Sequence, residues 1–249
     1  PQISAQFALS EVNPKNLMAI FNIPIMTADP LTLSKVSLKG RLNASSSTLD
    51  LHDLNVDLDN SKMKGSLKIE LSGNHKFEIK SYIDEIDVDR YLPPNQPKTS
   101  SITPETAGLG LATLPSDILR QLNGTGVIEV GKLKFSNLEI DDLKIQSESS
   151  AGLISFSPIN ANLYGGTYRG NLTIDARNPQ SILRIDSSLN DVALEPLIYA
   201  KANSRLVGGT ANLEIKLDGI GSSGNELLAT LKGESSLEVQ KGVVSGLDA

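Results

Sequence analysis

Two stretches of this chain carry the same order of apolar and polar residues. Leu54 in the first matches Ile159 in the second, Leu58 matches Leu163, Gly65 matches Gly170 and Leu67 matches Leu172, all at an offset of 105. One inserted residue moves the offset to 106, which pairs Ile79 with Ile185, Ile83 with Leu189 and Ile86 with Val192. The matched spans run from Leu49 to Leu92 and from Leu153 to Ile198. Apolar positions repeated at strand spacing mean one hairpin unit used more than once. Such units stack into an elongated sheet and do not close around a compact active site.

Period-two alternation dominates the rest of the chain. It predicts strands at Val36–Lys39, Thr48–Leu58, Met63–Leu71 and Lys76–Ile83. In the second half it predicts Gly126–Phe135, Leu138–Gln146, Gly152–Leu163, Thr167–Asp175, Ser181–Leu189, Thr210–Leu217 and Glu234–Val239. Gly73-Asn74, Gly165-Gly166, Asn178-Pro179 and Lys241-Gly242 supply turns between them. Strands separated by turns, without long helices, predict a mainly β protein with an antiparallel sheet.

Clean alternation leaves one apolar face per sheet, which must be covered by something. Short helices are predicted at Asn13–Ile20, Ser116–Gln121 and Ser223–Leu231, too few to cover roughly a dozen strands. A signature recurs at Leu9–Val12, Ile83–Ile86 and Leu189–Val192: a strand end, an acidic residue starting a turn or short helix, then an apolar pair. The pairs Leu17-Met18, Tyr91-Leu92 and Leu197-Ile198 are expected to plug the core edge. Between the halves, prolines at 93, 94, 97, 104 and 115 mark a linker or loop. The organisation read from this is a first β module over 1–92, a linker over 93–115 and a second β module over 116–249.

Composition excludes several functions. The net charge of −6 argues against nucleic acid, which wants a basic face. With no cysteine there is neither a disulfide framework nor a thiolate metal site. No apolar run approaches the roughly 18 residues of a membrane span; Asn16–Met26 is short and broken by Asn22 and Pro24. The chain opens on Pro1 without a signal peptide, so it is expected to be a piece of a longer protein. His52 and His75 are read as structural, and no metal ligands, cofactor or catalytic residues are expected. Asp57-x-Asp59-x-Ser61 opens like a calcium loop, then fails at Lys62 and Lys68. Gly108-Leu109-Gly110 and Gly124-Thr125-Gly126 lack the third glycine of a dinucleotide loop. The acidic runs Asp84–Asp89 and Glu139–Asp142 read as solvated faces.

Several phrases then resemble one family. They are Leu114–Asn123, Gly124–Leu133, Leu138–Leu143 and Ser157-Pro-Ile-Asn-Ala-Asn-Leu-Tyr-Gly-Gly-Thr-Tyr-Arg-Gly170. Gly208–Leu213 and Gly233–Asp248 complete the set. In this order they resemble the AsmA family of bacterial envelope proteins, from Leu114 to Asp248. The resemblance implies a periplasmic protein of a Gram-negative bacterium, tethered to the inner membrane by a helix outside this segment. It implies a non-enzymatic role in outer-membrane biogenesis and an architecture similar to bridge-like lipid transfer proteins. There a curved sheet of hairpins forms an apolar groove or half-barrel for acyl chains. Phospholipid, or another acyl lipid, is then the expected partner, with envelope proteins as further partners.

Alternation places Leu133, Phe135, Ile140, Ile145, Phe156, Leu163, Leu172 and Ile174 on the expected groove face. Leu183, Ile185, Leu213, Ile215, Leu217, Leu237 and Val239 continue it. Gly165, Gly166 and Gly170 match the family motif, with Gly165 and Gly166 expected at positive φ in a tight hairpin. The competing reading is a scaffold that modulates outer-membrane protein assembly and targeting through exposed strand edges.

Overall fold

The computed structural model describes residues 2–20, 25–73, 76–94, 116–202 and 207–244. Residues 95–115 of the predicted linker, His75, Gly108–Gly110, Asn22, Pro24 and the closing Gly246–Asp248 lie outside the described residues. The first elements are β1 (Ile3–Val12), α1 (Pro14–Ile20), β2 (Val36–Ala44), β3 (Thr48–Leu58), β4 (Ser61–Glu70) and β5 (Phe77–Asp87). A single 3-10 turn, Val88–Arg90, follows β5. The others are α2 (Ser116–Gln121), β6 (Gly124–Phe135), β7 (Leu138–Ser150), β8 (Leu153–Leu163), β9 (Gly166–Asp175), β10 (Ser181–Ala193), α3 (Leu194–Ala202), β11 (Val207–Gly221), α4 (Gly224–Ala229) and β12 (Lys232–Val244). All twelve strands join one sheet in chain order, so the protein is mainly β, built from repeated hairpins with a few short helices.

The sheet is not wholly antiparallel, as alternation alone predicted. Going up β5 and β6 together, a side chain on Gly131 would meet the Asp84 carbonyl, and Lys134 reaches Asp87 at 3.3 Å. Further on, Asp89 accepts the amides of Ser136 (2.5 Å) and Asn137 (2.7 Å). Both strands therefore run the same way. A parallel pair needs a crossover of a dozen or more residues, and residues 88–123 are that connection.

Two compact units divide the chain: Pro1–Thr99 with Gly126–Leu143, and Ser100–Thr125 with Lys144–Ala249. Residues 126–143, read from sequence with the second module, thus cluster with the first unit. Within the first unit the register stacks apolar residues in cross-strand rows. One row is Ala5, Leu42, Leu51, Leu67 and Ile79; another is Leu9, Leu38, Val56, Met63 and Ile83. Directly opposed residues share a face, so these rows are one apolar surface.

Acidic residues hold this unit's turns, a role the solvated-face reading did not foresee. Asp59, at φ 51, accepts the amides of Leu33, Ser34 and Lys35 and the Tyr91 hydroxyl (2.9 Å). Burial opposes the Asp59 charge, but these donors prevail and hold its carboxyl below the usual range. Burial, and then this hydrogen bond, push the Tyr91 phenol up to about 12. Asp84 accepts the amides of Lys62 and Glu85, both at 2.7 Å.

Inside strands, Asp53, Asp142 and Asp191 adopt φ 51, 51 and 54. The ladder slips beside two of them, between Leu51 and Leu54 and between Leu189 and Val192. A bulge sets two residues against one. It returns Val192 to the face of Leu189, which explains the three-residue step in the recurring signature. The strand continues past that signature and then enters α3, as β1 enters α1. The apolar pair does not always plug the core: Leu17 is 48% exposed.

Candidate functional site: the apolar face of the second unit

The second unit's register builds its face residue by residue. Ile154, Ile174 and Leu183 form the first row, opposite Gly219. Phe156, Leu172, Ile185 and Leu217 form the next. Ile159, Gly170, Ser187 and Ile215 follow, then Ala161, Tyr168, Leu189, Leu213 and Leu237. Leu163 stands opposite Gly166, and Ala211 opposite Val239. The intervening rows are polar: Ser155, Thr173, Arg184, Asp218 and Lys232 cross the sheet together.

Helices cover one end of this face. Leu119 of α2 and Leu227 of α4 join Ile154, Ile174, Ala176 and Leu183 in a buried cluster, with Leu122, Phe156, Leu172, Ile185 and Leu231 packed around it. Gly219 makes room for α4: a Cβ there would meet the Leu227 carbonyl at 2.5 Å and Leu231 Cδ2 at 3.2 Å. α4 starts where predicted, with the Ser223 hydroxyl accepting the Glu226 amide. The turn or short helix expected after Leu189–Val192 is α3, whose Pro196 sits in the first turn, where proline is tolerated.

Toward the β12 edge the face opens. Leu183 is 1% exposed and Leu163 7%, whereas Leu237 is 65% and Val239 47% exposed. Leu172, Ile185, Leu213, Ile215 and Leu217 lie between, half-buried. In the first unit Leu133, Phe135 and Ile140 are half-buried as well, as is Ile145 of β7 in the second. Leu133 and Ile140 also border a cleft of about 450 Å³ with Asp87, Tyr91 and Lys134.

The glycines act differently from the expected tight pair. The β8–β9 turn places Tyr164 (φ 47) and Gly165 (φ 80) in left-handed backbone. Gly166 instead starts β9 and is buried. A Cβ there would strike the Asn190 carbonyl and lie 2.6 Å from the Val192 amide nitrogen. Gly170 belongs to no turn; the Tyr168 ring lies over it, where any side chain would clash. That places the Tyr168 hydroxyl against Ser187 Oγ at 3.0 Å, a polar pair within the apolar surface. Spacing gave no sign of the Gly166 role, which depends on β10, whereas the Gly170 contact comes from Tyr168 on β9 itself.

At the covered end, Asp175 is held by Arg177 Nε at 2.8 Å and Nη2 at 2.6 Å. The Arg177 hydrogen bonds pull the Asp175 carboxyl from 3.8 down to about 2. A depressed carboxylate contributes stability that is present above pH 3.8 and lost as pH falls toward 2. Arg177 is largely exposed, so solvent screening keeps the contribution small. Melting curves over this window should steepen the pH dependence of the native chain relative to Arg177→Ala. Identical slopes would remove the pair from the acid response.

A sheet of sequential strands with a partly covered aliphatic face defines a class: β proteins that present apolar surface across neighbouring strands. A family model for the AsmA family matches residues 25–249. The chain belongs to the AsmA family, a family of the bacterial envelope. The match reaches well into the first half, beyond the Leu114–Asp248 span of the resembling phrases. No curated protein and no solved structure matches the chain significantly. No helix among the described residues is long and apolar enough to cross a membrane.

Proposed function

We propose that this chain holds phospholipid acyl chains along its apolar face, without catalysing a reaction. It does so as the periplasmic part of an inner-membrane-anchored protein that serves outer-membrane biogenesis. The observation that carries this reading is the gradient of exposure in the second unit, from Leu183 at 1% to Leu237 at 65% on one continuous face. The lining is mostly aliphatic, with Phe156, Tyr168 and Ser187 among the exceptions, which suits mobile tails better than a planar ligand. Each methylene moved out of water is worth about 0.8 kcal/mol, so a long tail gains on the order of 10 kcal/mol before ordering costs.

Native mass spectrometry with lipid extraction tests this on the chain purified from bacterial envelope. Co-purifying phospholipid is expected, with about tenfold less on Leu213→Asp, since a charge at this half-buried position opposes contact with acyl chains. Leu172→Asp should do the same, but Leu172 packs on the buried cluster, so the half-buried Leu213 gives the cleaner result. If both variants fold and keep their lipid, the face is not the binding surface.

A scaffolding role has one observation in its favour. Among the described residues β12 pairs only with β11, and Lys232 to Val243 are all exposed, leaving an edge able to accept another strand. A lipid-free protein that captures an envelope partner through β12 would favour that role.

A further inference from the structure

We infer that the Tyr168 and Ser187 hydroxyls receive the ester carbonyl of a bound acyl lipid, so that the face selects ester-linked chains over bare hydrocarbon. This rests on the acyl-binding reading of the second unit's face. Tyr168 stands opposite Leu189, and Ser187 stands opposite Gly170, one row further along β9. The Tyr168 ring bridges the two rows. It lies over Gly170, whose missing Cβ leaves room for it, and sets its hydroxyl 3.0 Å from Ser187 Oγ.

The pair has one proton more than it uses. Each hydroxyl carries one O–H donor and two acceptor sites. The bond between them takes one proton and leaves the other. Among the described residues neither hydroxyl has a further partner. Both residues are half-buried, so solvent can serve the spare proton while the face is bare. Acyl chains laid over the face would expel that solvent. A hydroxyl proton cut off from water needs an acceptor and otherwise opposes binding.

The surroundings choose the acceptor. Leu172 and Ile185 lie in the row on one side, Leu189 and Leu213 in the row on the other, and Ile159 and Ile215 in the row of Ser187 itself. A phosphate or carboxylate set here would lose its water against aliphatic side chains, and neither hydroxyl brings a charge to offset that loss. An ester carbonyl is neutral, accepts a proton and is joined directly to the hydrocarbon tail. Ser235 ends the Ser187 row, but on exposed β12, where its hydroxyl keeps its water.

Vesicles holding equal amounts of a diacyl phosphatidylethanolamine and its dialkyl ether analogue, which lacks the carbonyls, test the pair. Chain length and headgroup are matched, and the lipid retained by the purified chain is read by native mass spectrometry with extraction. The native chain should keep the ester lipid about fivefold over the ether, the ratio expected of one hydrogen bond. Tyr168→Phe alone leaves the Ser187 proton able to donate, so the deciding variant is Tyr168→Phe/Ser187→Ala. Replacing both partners of a hydrogen bond by apolar groups is nearly neutral for folding, and the new Phe ring still covers Gly170. That variant should melt like the native chain, retain as much total lipid and lose the preference. A native chain that keeps both lipids equally, or a preference that survives in the double variant, overturns the inference and leaves acyl binding standing. A native chain that retains neither lipid overturns both.

Discussion

Leu183→Ala should destabilise the second unit by about 2–5 kcal/mol, the range for emptying a well-packed leucine site. Leu183 is 1% exposed and sits in the row with Ile154 and Ile174, under the helices that bring Leu119 and Leu227 to the face. Gly219 lies opposite and contributes no side chain. The cavity would thus be bounded by two helices and a sheet, none free to collapse without breaking its own hydrogen bonds. Chemical denaturation, with hydrogen exchange of the β9 and β10 amides, measures the loss. A change under about 1 kcal/mol would show that the helices do not seal this end. The same truncation at Leu237, 65% exposed, should cost little.

The second large effect separates two adjacent glycines. Gly165→Ala places a side chain at φ 80, which costs about 1–2 kcal/mol, the ordinary penalty for left-handed backbone. Gly166→Ala should cost roughly 3 kcal/mol or more. Its methyl would press on the Asn190 carbonyl, the Val192 amide nitrogen at 2.6 Å and the Asp191 carbonyl carbon at 2.7 Å. All three belong to backbone in the β10 bulge and cannot rotate away. Paired melting curves rank the two variants, with Gly166→Ala the lower. The reverse order would mean that the bulge shifts easily and that turn conformation governs this hairpin.

These glycines mark how far the sequence could be read. Gly165-Gly166 announced a hairpin, and the hairpin is there. Which glycine was needed for its φ and which for close approach depended on a bulge in another strand. The acidic run Asp84–Asp89 and the failed calcium loop at Asp57–Ser61 were legible as polar, but their work as acceptors for turn amides required knowing that Asp89 faces Ser136 and that Asp59 faces Leu33. The face itself was more accessible. Phe156, Leu172, Ile185 and Leu217 were chosen from alternation and stand in one cross-strand row. Their exposure was not accessible, since alternation assigns a residue to a face without saying what covers it.

By itself, the sequence determined eleven of the twelve described strands, β1 being the one missed, together with the hairpin order, the amphipathic alternation and three of the short helices. Each depends on side-chain period, capping or turn chemistry within a few residues. Only the tertiary structure decided the parallel seam between β5 and β6, the clustering of residues 126–143 with the first unit, and the seating of α4 on Gly219. Those features arise where segments far apart in the chain meet. There the outcome depends on which backbone lies across, and no local pattern records it.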